Sequence, residues 1–419
     1  MTRLRATTVF YGLEFFLSWT TFVVMAVYLV NELHLSPLQL VLMGTAMEAA
    51  VFLFEIPTGV VADTYSRRLS LIIGYLGMGT AWALVAVVSE PWAVIVLWAF
   101  WGISYTFTSG AYQAWITDEV GRENIGSLFL RGQRLGYIGA VVGLCLQVAL
   151  GVWSLRAGVI AGGVVTVACG IGCMFLMPET GFRRQPRSER KPALQQLKTT
   201  ALGGARFAWA APIILLLISV ELFMGMSSEA FDRLKEAHFL RDIGLPAAGH
   251  LDPVVWFGLF WLAGMVLGFA AIGVLIKRVE RGGRRAVATW LFGFTAMEMA
   301  TLFVFALTGN VWLAIAALLG VFFALDLQGP LYTTWLNEQI TDSSVRATVL
   351  SISGQANAIG QAGGGPILGV IGNVWGIRAA LATGAAVIAP ALALYGRAIA
   401  HQGREPELED LPAAQPGSV

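Results

Sequence analysis

Six carboxylates stand inside long apolar runs: Glu14, Glu48, Glu55, Glu221, Glu298 and Asp326. A carboxylic acid moved from water into a low dielectric favours its neutral form. A site that alternates between wet and dry surroundings can therefore take up and release a proton. Glu48, Glu221 and Asp326 are the candidates for this proton handling. Glu48 lies about 15 residues from Asp63, near 22 Å along a helix, so it is deep. Glu55 shares its face but lies nearer the end of its run. Glu14 and Glu55 are expected to form ion pairs with Arg131 or Arg134, and Glu298 to have a structural role. Glu229 and Asp232, followed directly by Arg233, read as a gate or a local salt bridge.

Polar residues are costly in apolar surroundings, and their helical spacing marks the face turned to a cavity. Tyr11, Glu14, Ser18 and Thr21 share one face of the first run. In the fourth, Trp98, Trp101, Tyr105, Thr108, Ser109, Tyr112 and Gln113 form a stripe. In the seventh, Glu221, Met224, Gly225, Ser228, Glu229 and Asp232 do so. In the tenth, the stripe is Asp326, Gly329, Pro330, Thr333, Thr334 and Asn337. Spans 8 and 12 carry almost no polar residues. The expected cavity wall is Trp98, Trp101, Tyr105, Thr108, Tyr112, Gln113, Met224 and Trp335. Aromatic rings and methionine suit amphipathic or cationic solutes through apolar contact and cation–π attraction. Trp115 and Trp335 equally suit a membrane–water interface. Gln355, Asn357 and Gln361 of the eleventh run either bond a solute or bridge helices.

The elements that must position these residues follow from composition. Of 419 residues, 57% are hydrophobic and 13% charged, about half the charge of an ordinary soluble domain. The net charge of +1 carries no bias toward polyanions. Nucleic-acid binding, a soluble enzyme and a disordered chain are all disfavoured. The three cysteines lie inside apolar runs. The four histidines lie outside them, so no metal site is expected. A bilayer core needs about 20 apolar residues per helix. Twelve segments qualify: 8–30, 38–61, 69–89, 92–115, 132–152, 157–177, 211–231, 254–276, 287–307, 311–335, 348–371 and 377–398. The first is too long for a cleaved leader, contains Glu14 and lacks a small-residue cleavage pattern. With the N-terminus inside, 22 of the 27 Lys and Arg fall in inside loops, which predicts two cytoplasmic termini.

A basic stretch divides the spans six and six. The expected organisation is an N-terminal six-helix bundle (1–180), a cytoplasmic linker (181–207), a C-terminal six-helix bundle (208–400) and a disordered tail (401–419). The halves echo each other. Asp63–Arg68 and Glu280–Arg285, Trp115 and Trp335, Asp118 and Glu338, and Gly132-Gln133 and Gly354-Gln355 recur at offsets of 217 to 222. An internal duplication with a site at the midplane between halves is a common transporter plan. There is no P-loop, since the chain holds no Gly-Lys pair.

Between spans 2 and 3 the chain reads Gly59-Val-Val-Ala-Asp63-Thr-Tyr-Ser66-Arg67-Arg68. This resembles the loop motif of the major facilitator superfamily, with Ser66 in place of its second glycine. Segments 54–70, 109–119, 227–240 and 354–366 look like the 12-helix drug:proton antiporter branch that holds macrolide- and tetracycline-efflux-like proteins. Two positions depart from that branch. Trp98 stands near the place of its fourth-span arginine, and the fifth-span glycine motif (Gly132, Gly136, Gly139, Gly143) has no proline.

The resemblance implies an all-α polytopic membrane protein with twelve helices in two pseudo-symmetric bundles. It implies export of amphipathic, drug-like small molecules by proton antiport through alternating access. No cofactor is expected beyond the proton gradient. The expected partners are a small-molecule substrate and the lipid bilayer, with the chain monomeric in a bacterial inner membrane. Proton symport or facilitated import of a small polar nutrient is the alternative, and a membrane enzyme or receptor is disfavoured. The resemblance also implies a latch of Gly59, Asp63, Arg67, Arg68 and Asp118 between the halves. In it, Gly59 permits close approach, Asp63 meets the N-terminus of span 11 near Ser344–Thr348, and Arg67 or Arg68 pairs with Asp118.

Overall fold

The computed structural model describes residues 2–123, 125–182, 212–247, 250–340 and 346–402. Those residues are helical with short connections, as a bilayer demands: only a helix satisfies its own backbone groups in hydrocarbon. Most of the linker expected over 181–207, and the tail expected after 401, lie outside the described residues.

Among the described residues, eleven helices are long and apolar enough to cross a membrane. Span 1 is Thr2–Leu17 and Phe22–Asn31, span 2 Pro37–Thr64, span 3 Arg67–Val85, and span 4 Pro91–Thr106 and Ala111–Val120. Spans 5 and 6 are Ile125–Trp153 and Leu155–Leu176. Span 7 is Pro212–His238, continued by a π-helical turn Phe239–Ile243. Spans 8 and 9 are Pro253–Ala271 and Ala286–Leu307, span 10 Val311–Gln339 and span 12 Ile377–Gln402. The twelfth place is filled by span 11, Arg346–Trp375. It is 30 residues long, with apolar character diluted by Gln355, Asn357, Gln361 and glycines, and it packs along spans 2 and 7.

Starts are set by local chemistry. The Ser36 hydroxyl accepts from Gln39 N–H (3.3 Å) while the Gln39 side chain accepts from Ser36 N–H (2.8 Å), a closed capping box before Pro37. Ser66, Ser154, Asp252 and Asn310 cap spans 3, 6, 8 and 10 in the same sense. Spans 8 and 9 belong to one helical stretch, Pro253–Leu307, yet they run in opposite directions. The Phe239 ring touches Phe257, Phe260 and Phe305 at 6.1, 5.4 and 5.5 Å. In a straight helix Phe257 and Phe305 would stand about 70 Å apart, so the chain reverses between them.

The duplication recurs in the packing. Gly139 and Gly143 of span 5 press on the backbone of Phe15 and Trp19 in span 1. Gly360 and Gly364 of span 11 press on Leu222 and Met226 in span 7. Small residues let backbones approach this closely in lipid. Tyr112 donates to the Phe10 carbonyl at 3.2 Å, and Tyr332 donates to the Leu217 carbonyl at 3.2 Å.

Contacts between the halves gather on one face of the molecule. On the face that carries Phe239, Gly365, Gly369 and Gly372 of span 11 lie against Pro37–Thr45 of span 2. On the same face, Gly151 and Gly258 join spans 5 and 8, and Arg241 donates to the Leu35 carbonyl at 2.7 Å. This is the closed face. The opposite face carries Asp63.

Candidate functional site

The central cavity has a volume of about 1330 Å³, above the range of roughly 300–1,000 Å³ usual for small-molecule sites. It runs from beneath the closed face, at Leu29, Leu40 and Asp232, to Gln133, Tyr137 and Pro330 on the Asp63 side. Spans 1, 7 and 10 line it as expected, joined by spans 2 and 5. Span 8 also lines it, and its expected lack of polar residues means that it supplies an apolar wall of Trp261, Met265 and Phe269. Span 4 contributes Trp98.

Spans 1 and 4 are both interrupted, which the continuous segments 8–30 and 92–115 did not anticipate. At Ser18–Thr21 the helix of span 1 unwinds in mid-bilayer. Gln147 of span 5 accepts from the Thr21 N–H (3.2 Å) and its hydroxyl (2.7 Å). The Thr20 hydroxyl donates to the Gly162 carbonyl (3.2 Å) and bonds Thr166 (3.0 Å). Unwound backbone survives at this depth only when such partners replace the helix or when it lines a cavity; here both hold, since Ser18, Thr20, Thr21 and Phe22 line the cavity. In span 4 the break falls at Phe107–Gly110, where Gly110 adopts φ 70°. Ser70 donates to the Phe107 carbonyl (2.7 Å), Thr58 to that of Thr106 (3.0 Å), and Ser109 to Glu55 (2.7 Å).

The acids divide in a way the sequence did not foretell. Glu14 and Asp326, from opposite halves, both line the cavity. Among the described residues Glu14 forms no ion pair with Arg131 or Arg134, which are exposed; Tyr112, whose hydroxyl donates to the Phe10 carbonyl, is its polar neighbour. Glu55 is likewise held by Ser109 rather than by an arginine. Glu221 is the duplicate of Glu14, 207 positions on, but stands outside the cavity wall. Its carboxylate accepts from Asn357 (2.8 Å), which in turn accepts from Gln361 (2.8 Å). The residue facing Glu14 where Asn357 faces Glu221 is Gly136, which leaves Glu14 open to the cavity. Glu298 is buried and accepts from Gln328 at 2.7 Å, and Gln328 accepts from Thr295 at 3.0 Å. That places it in a bridge between spans 9 and 10.

A charged cluster roofs the cavity. Glu229 is fully buried, and its Oε1 lies 3.3 Å from Arg233 Nε. Both side chains press on Gly44 of span 2. Arg233 also lies over the Trp98 ring, 5.7 Å from its centre. An arginine from the C-terminal half thus meets a tryptophan of the N-terminal half. Glu48 sits outside the cavity wall, with Arg233 and Asp232 as its charged neighbours. Lys235 approaches Asp232 at 3.9 Å and Glu236 at 3.6 Å.

Of the expected cavity wall, Trp98 lines the cavity. Trp101 stacks on Tyr105 (5.6 Å) and packs on Trp98 (5.9 Å), which continues the aromatic row away from the wall. Thr108 is buried against Gly74 of span 3, because the break in span 4 turns it there. Tyr112 stacks on Phe10 (5.4 Å), and Gln113 is exposed. Met224 packs between two apolar clusters. Trp335 is fully buried against Tyr395 (5.8 Å), so it lies neither on the cavity wall nor at a lipid interface. Trp115 is also core, donating to the Pro178 carbonyl at 2.6 Å.

Among the described residues, the contacts of the latch residues lie inside the N-terminal half. Arg67 pairs with Asp118 at 2.7 Å and approaches Asp63 at 3.7 Å. Arg68 does not pair with Asp118; its guanidinium donates to the Cys173 carbonyl (3.2 Å) and to that of Met174. Among the described residues, a side chain at Gly59 would meet nothing within 4 Å. The residues near Ser344 lie outside the described set.

Two acids escaped sequence reading. Glu119 accepts from Thr180 N–H (2.5 Å), Thr180 Oγ1 (2.8 Å) and Gly181 N–H (2.5 Å). Glu179 accepts from the Ser66 hydroxyl (2.6 Å) and the Arg68 N–H (3.0 Å). With Arg5, which donates to the carbonyls of Phe175 and Leu176, they stitch the chain after span 6 to the ends of spans 1, 3 and 4. The signal was a Pro178-Glu-Thr-Gly turn directly after an apolar run. No cluster of metal-ligating side chains occurs among the described residues.

Twelve membrane-spanning helices, repeated as halves around a cavity between them and tied together on one face, define a membrane transporter. The chain matches the Major Facilitator Superfamily over residues 8–364 and belongs to it. It is 20% identical over 362 residues to an MFS-type transporter of Bacillus subtilis, YxaM, covering 85% of this chain and 86% of that protein. A shorter stretch of 109 residues is 32% identical to the MFS-type transporter MJ1317 of Methanocaldococcus jannaschii, covering 26% of this chain and 24% of that one.

Among solved structures, a mutant of the nucleoside transporter NupG superposes with a TM-score of 0.75 at 14% identity, covering 96% of this chain and 99% of that one. A POT family transporter in complex with a thioalcohol-conjugated peptide gives 0.73 at 12% identity, covering 95% and 96%. A bacterial homolog of the human lysosomal transporter Spinster, inward-facing and unoccupied, gives 0.72 at 14% identity, covering 95% and 96%. At these identities the likeness is one of fold.

Proposed function

We propose that the chain is a secondary active transporter that exports amphipathic, cationic small molecules in exchange for protons. The observation that carries this reading is the pair Glu14 and Asp326. The two carboxylates face one cavity from opposite halves, and neither has an ion-pair partner among the described residues. An acid left unpaired in an apolar cavity attracts a proton or an organic cation, and the two compete for it. Phe22, Trp98, Trp261, Phe269 and Phe322 supply apolar and π surface around it.

The 22 of 27 basic residues assigned to inside loops favour the Asp63 face as cytoplasmic, with both termini on that side of a bacterial inner membrane. The cavity then loads from the cytoplasm.

The experiment uses inverted vesicles holding a preset pH gradient, to which lipophilic cations are added. The expected result is collapse of the gradient by the parent and none by Glu14→Gln or Asp326→Asn. Collapse that both variants retain would reject these acids. Solute-driven acidification of the opposite sense would replace export by proton symport.

A further inference from the structure

His238 ends span 7 on the closed face, and its side chain is fully buried. The histidines were expected outside the apolar runs, so this burial is a correction. Both ring nitrogens face oxygen. Nδ1 lies 2.8 Å from a carboxylate oxygen of Asp242, and Nε2 lies 3.1 Å from the Phe305 carbonyl oxygen. A carbonyl and an ionised carboxylate only accept hydrogen bonds, whereas a neutral imidazole has one N–H and one lone pair. A neutral ring would set a lone pair against an oxygen at one of the two positions. Flipping the ring exchanges nitrogen for carbon and loses both bonds.

We infer that His238 and Asp242 form a proton-binding site outside the central cavity, with the ring doubly protonated while this face is closed. The proton belongs to the ring because imidazole is a stronger base than carboxylate. Burial of the cation is costly, and the Asp242 charge and the Phe305 carbonyl act against that cost. The Phe305 ring of span 9 stands edge-on at 5.1 Å. Arg378, at the start of span 12, is the like charge that faces the ring, and Arg241 is the cation that faces Asp242.

The site is tied to closure by the turn that holds it. Asp242 and Arg241 both lie in the π-helical turn Phe239–Ile243, closed by the Gly244 N–H donating to the Phe239 carbonyl at 2.8 Å. Such turns are rare and frequent at functional sites. Arg241 reaches from this turn to the Leu35 carbonyl of the other half. Loss of the proton leaves a lone pair against an oxygen at Asp242 or at the Phe305 carbonyl, and so loosens the tie between the turn that carries Arg241 and span 9. Closure is therefore supported below the protonation midpoint of the closed state and lost as the pH on this face rises through it. This holds whatever solute the cavity takes.

Two measurements test it. In the full chain bearing His34→Asn, His250→Asn and His401→Gln, His238 is the sole imidazole. His34 and His250 both have φ 50°, a backbone that asparagine tolerates. With 15N-histidine in nanodiscs, the expected NMR signature is a doubly protonated ring at about pH 7.5, where a free imidazole is largely neutral. A single neutral tautomer there would overturn the inference. The second measurement is the distance between spin labels at Asn31 and Gly309, on opposite halves of this face, in a cysteine-free background. The closed-to-open ratio is expected to fall up to tenfold per pH unit through the transition, the limit for one proton. Asp242→Asn, whose amide can donate to or accept from the ring, is expected to stay closed and lose that dependence. A pH profile unchanged by Asp242→Asn would overturn the inference.

Discussion

Closure of the Phe239 face depends on glycines that let span 11 lie against span 2, and Gly369→Val isolates that dependence. A Cβ built on Gly369 would stand 3.2 Å from Leu38 Cα and 3.2 Å from Val41 Cβ, inside the 3.5–4.0 Å of comfortable carbon contact. Leu38 Cα is backbone, one residue past Pro37 and inside a closed capping box, so it cannot swing aside as a side chain would. Valine adds two further methyls in the same space. Overpacking of this kind costs about 1–3 kcal/mol. The cost falls only on the closed arrangement, because spans 2 and 11 must part there when the face opens. It therefore shifts the closed-to-open ratio by about 5- to 150-fold. The assay is the Asn31–Gly309 spin-label distance, with growth of the longer population expected. Gly363→Val is the control: it lies in the same helix, with nothing within 4 Å of its Cβ. Equal shifts in both variants, or none in Gly369→Val, would refute the reasoning.

Gln147→Leu removes the acceptor for the N–H and hydroxyl of Thr21. Each buried donor left unmet costs about 1–3 kcal/mol, so a lower thermal midpoint in detergent is expected, and an unchanged one would deny Gln147 its role in the unwound segment. Glu14→Gln and Asp326→Asn are each expected to cut solute-driven proton movement by about tenfold or more with expression intact, whereas Glu221→Gln, already held by Asn357, should cost far less; flux through inverted vesicles decides, and the reverse order would return the leading role to Glu221. Arg67→Ala breaks an ion pair whose side chains are 18% and 32% exposed, worth about 1 kcal/mol. It should leave the melting curve nearly unchanged and slow turnover, and normal turnover would remove the latch role.

Much of the fold could be read from the chain because lipid imposes it: long apolar runs, loop arginines and recurring glycines have few alternatives. The interruption of span 1 could not. Ser18–Thr21 lies within an apolar run, and unwinding there depends on Gln147, Gly162 and Thr166, all more than 100 positions away. Polar stripes found the cavity side of spans 1 and 10, but of the stripe on span 7 only Asp232 reaches the cavity; a stripe does not say which neighbour covers it, so Thr108, like Glu221 and Glu229, ended against other helices. The repeat of Glu14 in Glu221 was hidden because its offset is 207, outside the 217–222 of the other repeats. Which of the two acids faces the cavity turned on glycine against asparagine in neighbouring spans. His238 lay beyond the expected end of its run, while span 7 in fact continues past it to Ile243.

The broken first helix also alters what must travel for the passage to change sides. The segment Phe22–Asn31 touches spans 5 and 6 of its own half and spans 7 and 8 of the other, whereas Thr2–Leu17 packs on spans 4, 5 and 6. Side chains already satisfy the pivot between them, so its bending breaks no helical ladder. These ten residues pack on both halves, so any change of side must re-seat them against one bundle or the other, with the bend already made.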